Sequence, residues 1–217
     1  MMTSSMQAPQ LPPNLAILAL TSGQLRDDEE YHDGKLDHVI LSGQTAHRIH
    51  LQRLLFKTVA LNQTRLEAAQ LRDIRFEDCD LANATWERAS GQRIEWLRCQ
   101  LVGFATPEAH WSHVYLRACQ ASLARFRFVN FRHARFEKCT FIDADFQGAD
   151  LTGAQFSHCD LTNVEFSQAK LSGVDLRTSH IDSIKAGPTE LSGAIVTPVQ
   201  AVYLAGRFGL VVKSSGE

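Results

Sequence analysis

Features typical of membrane, secreted and nucleic-acid-binding proteins are scarce in this sequence of 217 residues. No apolar run approaches the roughly 20 residues that a transmembrane helix needs. The N-terminal stretch lacks a basic leader and a small-residue cleavage site, so we expect no secretory signal and a cytoplasmic location. The 22 Lys and Arg residues nearly balance the 24 Asp and Glu residues. Without a basic surplus, direct binding to nucleic acid is not expected.

Catalytic and redox motifs are also missing. The sequence contains no P-loop, dinucleotide fingerprint, GxSxG or HExxH motif. It contains no CxxC pair, and its five cysteines are an odd number, which does not favour a disulfide framework. We therefore predict a protein that is not an enzyme, with no catalytic residues, no cofactor and no metal site.

The sequence does contain a strict period of five. Residues 36, 41, 46 and so on to 191 form one register without insertion or deletion, and 27 of these 32 positions hold Leu, Phe, Ile or Trp. Two residues before each of them stands a small or β-branched residue, such as Ala134, Cys139 or Val164. The other three positions are mostly polar. The exceptions in the large register are Ala46, Gly91, Thr106, Ala121 and Ala186.

A period of five suits neither a helix, which needs spacings of three and four, nor a flat strand, which needs two. It suits a chain that turns a corner every five residues, so that four sides close a coil. Such coils stack at about 4.8 Å, the spacing between paired strands. The sequence therefore predicts an all-β fold, a quadrilateral parallel β-helix of about eight coils over residues 34–196. Residues 1–33 would form an N-terminal cap, and residues 197–217 a C-terminal capping helix and tail.

The cysteines stand twenty residues apart in the small register, so a coil of twenty residues stacks them in one ladder. Parallel side chains in one column oppose a disulfide and do not converge on a metal. We expect buried structural filler, and a metal or redox ladder is the alternative. The ladder comprises Cys79, Cys99, Cys119, Cys139 and Cys159.

The stretch ADLTGAQFSHCDLTNVEF resembles the pentapeptide-repeat proteins, whose repeat is written A-(D/N)-L-x-x. The resemblance covers roughly residues 34–196 and implies a right-handed, four-sided β-solenoid. Where Thr106 departs from the pattern, Phe104 occupies the small position, so we expect large and small residues to exchange places in that coil.

Both ends of such a rod need caps. At the N-terminal end, Leu15, Ile17 and Leu18 are expected to cover the first coil. At the C-terminal end a short helix is predicted, with Thr197 as N-cap, Pro198 in the first turn and Gly209 at the stop. Quinolone-resistance members of the family pair through such an end, so a homodimer through this helix is the alternative to a simple plug. The apolar side of the helix comprises Val199, Val202, Tyr203 and Leu204.

Two side-chain columns follow from the period of twenty. Arg93, His113 and His133 would stack and could bind an anion, although exposed surface residues are the favoured interpretation. In a second column the charged residues alternate in sign, apart from two uncharged positions, which predicts ion pairs between coils. It comprises Lys57, Glu77, Leu97, Arg117, Glu137, Ser157 and Arg177.

Charge is unevenly distributed along the chain. Residues 45–138 carry fifteen Lys and Arg against nine Asp and Glu, a net charge of +6, and residues 139–182 carry two against seven, a net charge of −5. The acidic residues of the second region are candidate partner-binding residues: Asp143, Asp145, Asp150, Asp160 and Glu165.

We hypothesise a non-enzymatic scaffold for protein–protein interaction, with an unknown protein partner. The family resemblance implies an alternative, a DNA mimic that modulates a type II topoisomerase, DNA gyrase. The basic middle of the chain does not favour that alternative. Nucleic-acid binding by the basic middle is a third hypothesis, but it lacks clustered exposed aromatic residues.

Overall fold

The structure is a computed structural model, which describes residues 6–18 and 24–213. The described chain forms a parallel β-solenoid of about seven turns, followed by one short helix. This confirms the predicted all-β parallel β-helix with a C-terminal helix. The strands are β1 (Ala16–Ile17), β2 (Glu30–Asp37), β3 (Thr45–His47), β4 (His50–Lys57), β5 (Arg65–Glu67), β6 (Gln70–Glu77), β7 (Thr85–Glu87), β8 (Ser90–Leu97), β9 (His110–Arg117), β10 (Asn130–Glu137) and β11 (Gln155–Ser157).

Each coil pairs with the coil twenty residues away. One parallel sheet has the order β1-β2-β4-β6-β8-β9-β10-β11, and a second has the order β3-β5-β7. In the first sheet Phe56 pairs with Phe76 and Phe76 with Trp96. Single bridges such as Asp145 with Glu165 continue the same register where no strand is assigned. One coil of the solenoid therefore contains twenty residues, which is the period found in the sequence.

The corners of the solenoid lie two residues after each large apolar residue. There the backbone turns with a positive φ, which is 55° at His38 and 53° at Thr58, for example. This left-handed conformation costs most residues about 1–2 kcal/mol and costs glycine almost nothing. Gly148 and Gly153 occupy two of these corners, with φ of 67° and 72°. Among the described residues, 26 other corners hold a residue with a side chain.

Large and small positions both point into the core, where aromatic rings stack from coil to coil. The ring centroids of Phe136 and Phe156 lie 4.6 Å apart. Phe104 and Thr106 are both buried, which confirms the expected exchange of large and small residues in that coil. The interior thus keeps its filling although single pentads depart from the repeat.

The described part of the N-terminal segment caps the first coil only in part. β1 pairs with Gly34 and Lys35 in β2, and Leu18 packs against the core. Leu15 is half-buried, and Ile17 is 72% exposed, so the expectation that Ile17 covers the first coil is wrong. The segment pairs through its backbone, so alternate side chains point away from the coil.

At the other end the regular burial stops at Ile184, while Ala186 and Leu191 are only partly buried. Residues 188–193 form turns, and the register of twenty is kept at Ile195, which pairs with Asp175. Helix α1 (Pro198–Arg207) follows. Thr197 is its N-cap and Pro198 lies in its first turn, as predicted. Thr197 also forms a capping box with Gln200, which was not predicted. Residues 214–217 of the predicted tail lie outside the described residues.

Candidate functional site

The acidic candidates mainly complete the turns on which they stand. Asp145 accepts a hydrogen bond from the Gln147 backbone N–H at 2.9 Å, and Asp160 accepts one from that of Thr162 at 3.0 Å. Asp150 and Glu165 accept from the backbone two residues further on at 3.1 and 2.8 Å. The acidic position of the repeat thus satisfies a backbone donor at the next corner. The sequence held a signal for this, because these acidic residues directly precede a large apolar residue.

The acidic candidates do not gather on one side of the rod. Corners separate the pentads, so only Asp145 and Glu165, which are neighbours in adjacent coils, share a side. Asp160 lies on the preceding side, Asp150 on the following side, and Asp143 at a corner, where its φ is 56°. The acidic candidates therefore lie on three sides of these coils and form no continuous stripe along the axis.

Two of these carboxylates also pair with cations. Asp145 lies 2.5 Å from Arg127, and Asp150 lies 3.1 Å from Nζ of Lys170. Burial acts to raise the pKa of Asp150, but hydrogen bonds from Thr152 and the contact with Lys170 lower it overall. The acidic surface is thus partly neutralised from within the chain.

Ion pairs between coils occur both at corners and on the sides between them. In the column predicted to alternate in charge, the strand pairing confirms the register from Lys57 to Ser157. Only Arg117 and Glu137 form an ion pair there among the described residues, at 3.7 Å. Corner residues twenty apart instead form two-point pairs: Asp28 with Arg48, Asp33 with Arg53, Asp73 with Arg93, and Asp78 with Arg98.

The predicted stack of His113 and His133 forms, with ring centroids 4.7 Å apart. Two groups of the predicted anion site with Arg93 already have partners within the chain. Arg93 binds both carboxylate oxygens of Asp73, at 2.6 and 2.7 Å. Nδ1 of His113 accepts a hydrogen bond from the Gln7 backbone N–H at 3.2 Å. Burial, and then the charges of His133 and Arg93, lower the pKa of His113.

This contact shows a feature that sequence reasoning missed. The N-terminal segment runs along the corner column of Asp73, Arg93 and His113, across several coils, where the Gln10 backbone N–H also donates to Asp73 at 2.8 Å. We call residues 6–18 the strap. The strap uses its backbone for these contacts, so its side chains gave no signal in the sequence.

The cysteine ladder is fully buried, as predicted, with exposures of at most 2%. The thiol of Cys119 points to the carbonyl oxygen of Trp96 at 3.3 Å, and that of Cys159 to the carbonyl oxygen of Phe136 at 3.5 Å. Contact with Cys139, followed by burial, raises the pKa of Cys159. Within residues 6–18 and 24–213, no group of three His, Cys, Asp or Glu residues could hold a metal ion.

The apolar side of α1 is divided between two environments. Leu204 is 7% exposed against the last coil, and the Tyr203 hydroxyl accepts from the Ser183 backbone N–H at 2.7 Å. Val199 and Val202 instead point to solvent, with exposures of 79% and 52%. The segment after the helix adds more exposed apolar side chains: Phe208, Leu210, Val211 and Val212. We call these four residues, with Val199 and Val202, the end patch.

Models of the pentapeptide repeat match most of the solenoid. The model described as a pentapeptide repeat region matches residues 30–104, and the model described as pentapeptide repeats (8 copies) matches residues 112–148 and 139–177. The chain belongs to the pentapeptide-repeat family. Curated proteins give no significant match to this pentapeptide-repeat protein.

Solved structures of other family members are similar in part. A trypsin-treated variant of QnrB1, a plasmid-mediated fluoroquinolone resistance protein, is 22% identical over 89% of this chain and 100% of its own, with a TM-score of 0.48. HetL, involved in heterocyst differentiation regulation in Nostoc sp. strain PCC 7120, is 18% identical over 78% and 90%, with a TM-score of 0.27. Rfr23 from Cyanothece 51142 is 21% identical over 54% and 64%, with a TM-score of 0.25.

The surface of this pentapeptide-repeat protein is a set of ordered side-chain columns on a regular backbone. Most charged groups described above bind a neighbouring coil or their own turn. The end patch differs, because its side chains are apolar and exposed. No helix in the described part of the chain is long and apolar enough to cross a membrane.

Proposed function

We propose that the protein is a non-enzymatic scaffold for protein–protein interaction, and that it forms a homodimer through the end patch. The observation that carries the proposal is the outward side of α1, where Val199 and Val202 are 79% and 52% exposed. An exposed apolar patch is typical of a protein interface. A second copy supplies a surface of the same chemistry, as a two-fold symmetric contact requires.

The helix is held firmly enough to serve as an interface. Nε2 of Gln200 donates to the carbonyl oxygens of Leu176 and Ser179 at 2.8 and 3.0 Å. Together with Tyr203 and Leu204, these contacts dock α1 on the last coil. Val199 and Val202 therefore project from a fixed element, so little conformational entropy is lost when they bind.

The scaffold role also agrees with how the polar groups are used. The candidate acidic residues cap turns or form ion pairs instead of standing free for an acid–base reaction, and the thiols point to backbone carbonyls in the core. A regular rod built in this way presents fixed surfaces to partners along its length.

Analytical ultracentrifugation over a concentration series tests the homodimer. The wild type is expected to sediment as a dimer, and the double variant Val199→Asp with Val202→Asp as a folded monomer. Ile40→Asp is the matched control, because Ile40 is 77% exposed but lies at the opposite end of the rod. This control should remain dimeric. A wild type that stays monomeric, or a dimer that survives the double variant, would contradict the proposal.

The alternative of a gyrase-directed DNA mimic has weaker support. A duplex presents one negative charge per ~1.7 Å of its axis. The acidic residues here lie on three sides of the rod and pair in part with Arg127 and Lys170. We therefore place the interaction with a partner protein first and test the gyrase role separately.

A further inference from the structure

Two corner residues, Leu123 and Phe128, differ from the other corner residues. Their φ angles are 60° and 56°, and they begin and end one side of the same coil. The other 24 non-glycine corners with positive φ in the described chain hold polar, charged or alanine residues. Bulky apolar residues are strongly disfavoured in this backbone conformation. Their presence at two consecutive corners therefore needs a reason other than the turn itself.

Packing in the core does not supply that reason. Leu123 is 56% exposed and Phe128 is 55% exposed, whereas the large residues of the repeat are buried. The ring of Phe128 lies over Gly148, where a Cβ atom would be only 2.4 Å from Cδ1 of the ring. The glycine thus makes room for the ring and fixes it against the surface. The result is an ordered apolar side chain that faces solvent.

An exposed cation, Arg125, lies between these two corners. It forms no ion pair among the described residues, whereas Arg127 on the same side binds Asp145. In the adjacent coil the same side carries Gly103, Ala105 and Pro107. Ala105 pairs directly with Arg125.

We infer that Leu123, Arg125 and Phe128 form a docking surface for a partner protein segment that presents an apolar side chain next to a carboxylate. The inference rests on the scaffold function proposed above and locates its partner site. The carboxylate would pair with Arg125, and the apolar side chain would pack between the two corner residues. Aromatic residues and Arg carry much of the binding energy in protein interfaces.

The charges of this side argue against nucleic acid as the ligand. Arg127 is bound to Asp145, so of these two arginines only Arg125 has no ion pair among the described residues, whereas a phosphate backbone requires several free cations. A peptide carboxylate needs only one. The surface is also far along the chain from the end patch, so a dimer through α1 leaves it open.

The probe is a library of random peptides displayed on phage and selected against the wild-type protein. Enriched peptides are expected to share an apolar residue with Asp or Glu within a few positions. Synthetic copies should lose at least tenfold in affinity for the double variant Leu123→Asn with Phe128→Asn, and for Arg125→Gln. Asn tolerates the left-handed conformation, so the double variant should fold with an unchanged or higher midpoint of thermal unfolding.

Arg65→Gln is the matched control, because Arg65 is exposed, lies in the same column three coils earlier and forms no ion pair among the described residues. It should leave the affinity unchanged. Peptides that bind equally well to the double variant would overturn the docking surface and still support a scaffold with another site. A selection that enriches no peptide, or only peptides without a carboxylate, would also overturn the docking surface. The homodimer is tested separately, by sedimentation. Self-association could also depend on Leu123 and Phe128. If it is lost in Leu123→Asn with Phe128→Asn but kept in Val199→Asp with Val202→Asp, the surface is a contact between copies of the chain, and the proposed docking of a partner segment is overturned.

Discussion

Gly91 and Trp111 share one space in the core. A Cβ atom on Gly91 would lie 2.3 Å from Cζ3 of Trp111, so the indole of one coil fills the place that the preceding coil leaves empty. The two residues stand in the same register and pair directly across adjacent strands. The indole of Trp111 thus fills the volume that a large side chain at position 91 would otherwise occupy.

This relationship predicts that restoring the repeat at position 91 is harmful. Gly91→Leu should destabilise the protein by about 1–3 kcal/mol or more, because overpacking a filled core forces strain on its neighbours. Urea denaturation measures the loss. Gln92→Ala, on the adjacent exposed position, should change the free energy of unfolding by less than about 0.5 kcal/mol. A stabilised Gly91→Leu variant would show that the indole does not occupy this space.

The corner ion pairs should differ in importance according to burial. Asp73 and Arg93 are 4% and 6% exposed, so removing Arg93 leaves the buried carboxylate with only the longer contact to Arg72, at 3.8 Å. Arg93→Ala should therefore cost about 3–5 kcal/mol of unfolding free energy. Arg98→Ala removes an equivalent pair whose side chains are 56% and 44% exposed, and should cost at most about 1 kcal/mol. Equal losses in chemical denaturation would contradict this ranking.

The strap should loosen at acidic pH through His113. The pKa of His113 is lowered from its ordinary value of 6.5, so the folded state favours the neutral ring that accepts from the Gln7 N–H. This contribution to stability is complete above pH 6.5 and is lost as the pH falls from there through the lowered pKa. Hydrogen exchange at the Gln7 amide, corrected for its intrinsic pH dependence, should show reduced protection over that window.

His113→Asn should remove that pH dependence, because the titrating group is gone. His158→Asn is the control, since His158 is also a corner residue but is exposed and has no contact with the strap among the described residues. A pH dependence that persists in His113→Asn would assign the effect to another group.

The cysteines should react only after unfolding. All five thiols are buried, so labelling of the native protein is expected to be slow for each and fast in denaturant. Mass spectrometry of the labelled protein measures this directly. Rapid native labelling of several cysteines, or zinc bound in stoichiometric amount, would contradict a purely structural ladder.

The pentad pattern predicts the backbone path and the core, but it does not predict contacts that depend on the orientation of a single side chain. The spacing of Phe136, Phe146 and Phe156 specifies corner, coil and core, because side-chain direction is fixed by position within the pentad. The same logic located the exchange at Phe104 and Thr106. Compensation at Gly91 was not predictable, because it depends on the orientation of a ring twenty residues later.

Surface function was harder to predict than the fold. Asp145, Asp150 and Asp160 looked like free charge in the sequence, but they accept backbone hydrogen bonds that their position before a large residue could have indicated. The strap contacts at Asp73 and His113 involve backbone N–H groups, which every residue except proline has. The sequence therefore predicts the solenoid well, but it predicts poorly which surface groups are bound to other groups of the chain.

The gyrase alternative can be tested directly with a supercoiling assay over a titration of the protein, with and without a quinolone. We expect weak or no inhibition and no drug protection, because residues 45–138 carry a net charge of +6 and would be repelled by a surface that attracts phosphate. The acidic candidates beyond them lie on three sides of the rod and cannot imitate the ~1.7 Å charge spacing of a duplex along one line. Strong inhibition or protection would contradict this. Its loss on changing Asp145 and Glu165 to Lys would then locate the gyrase contact on the one side that these two residues share.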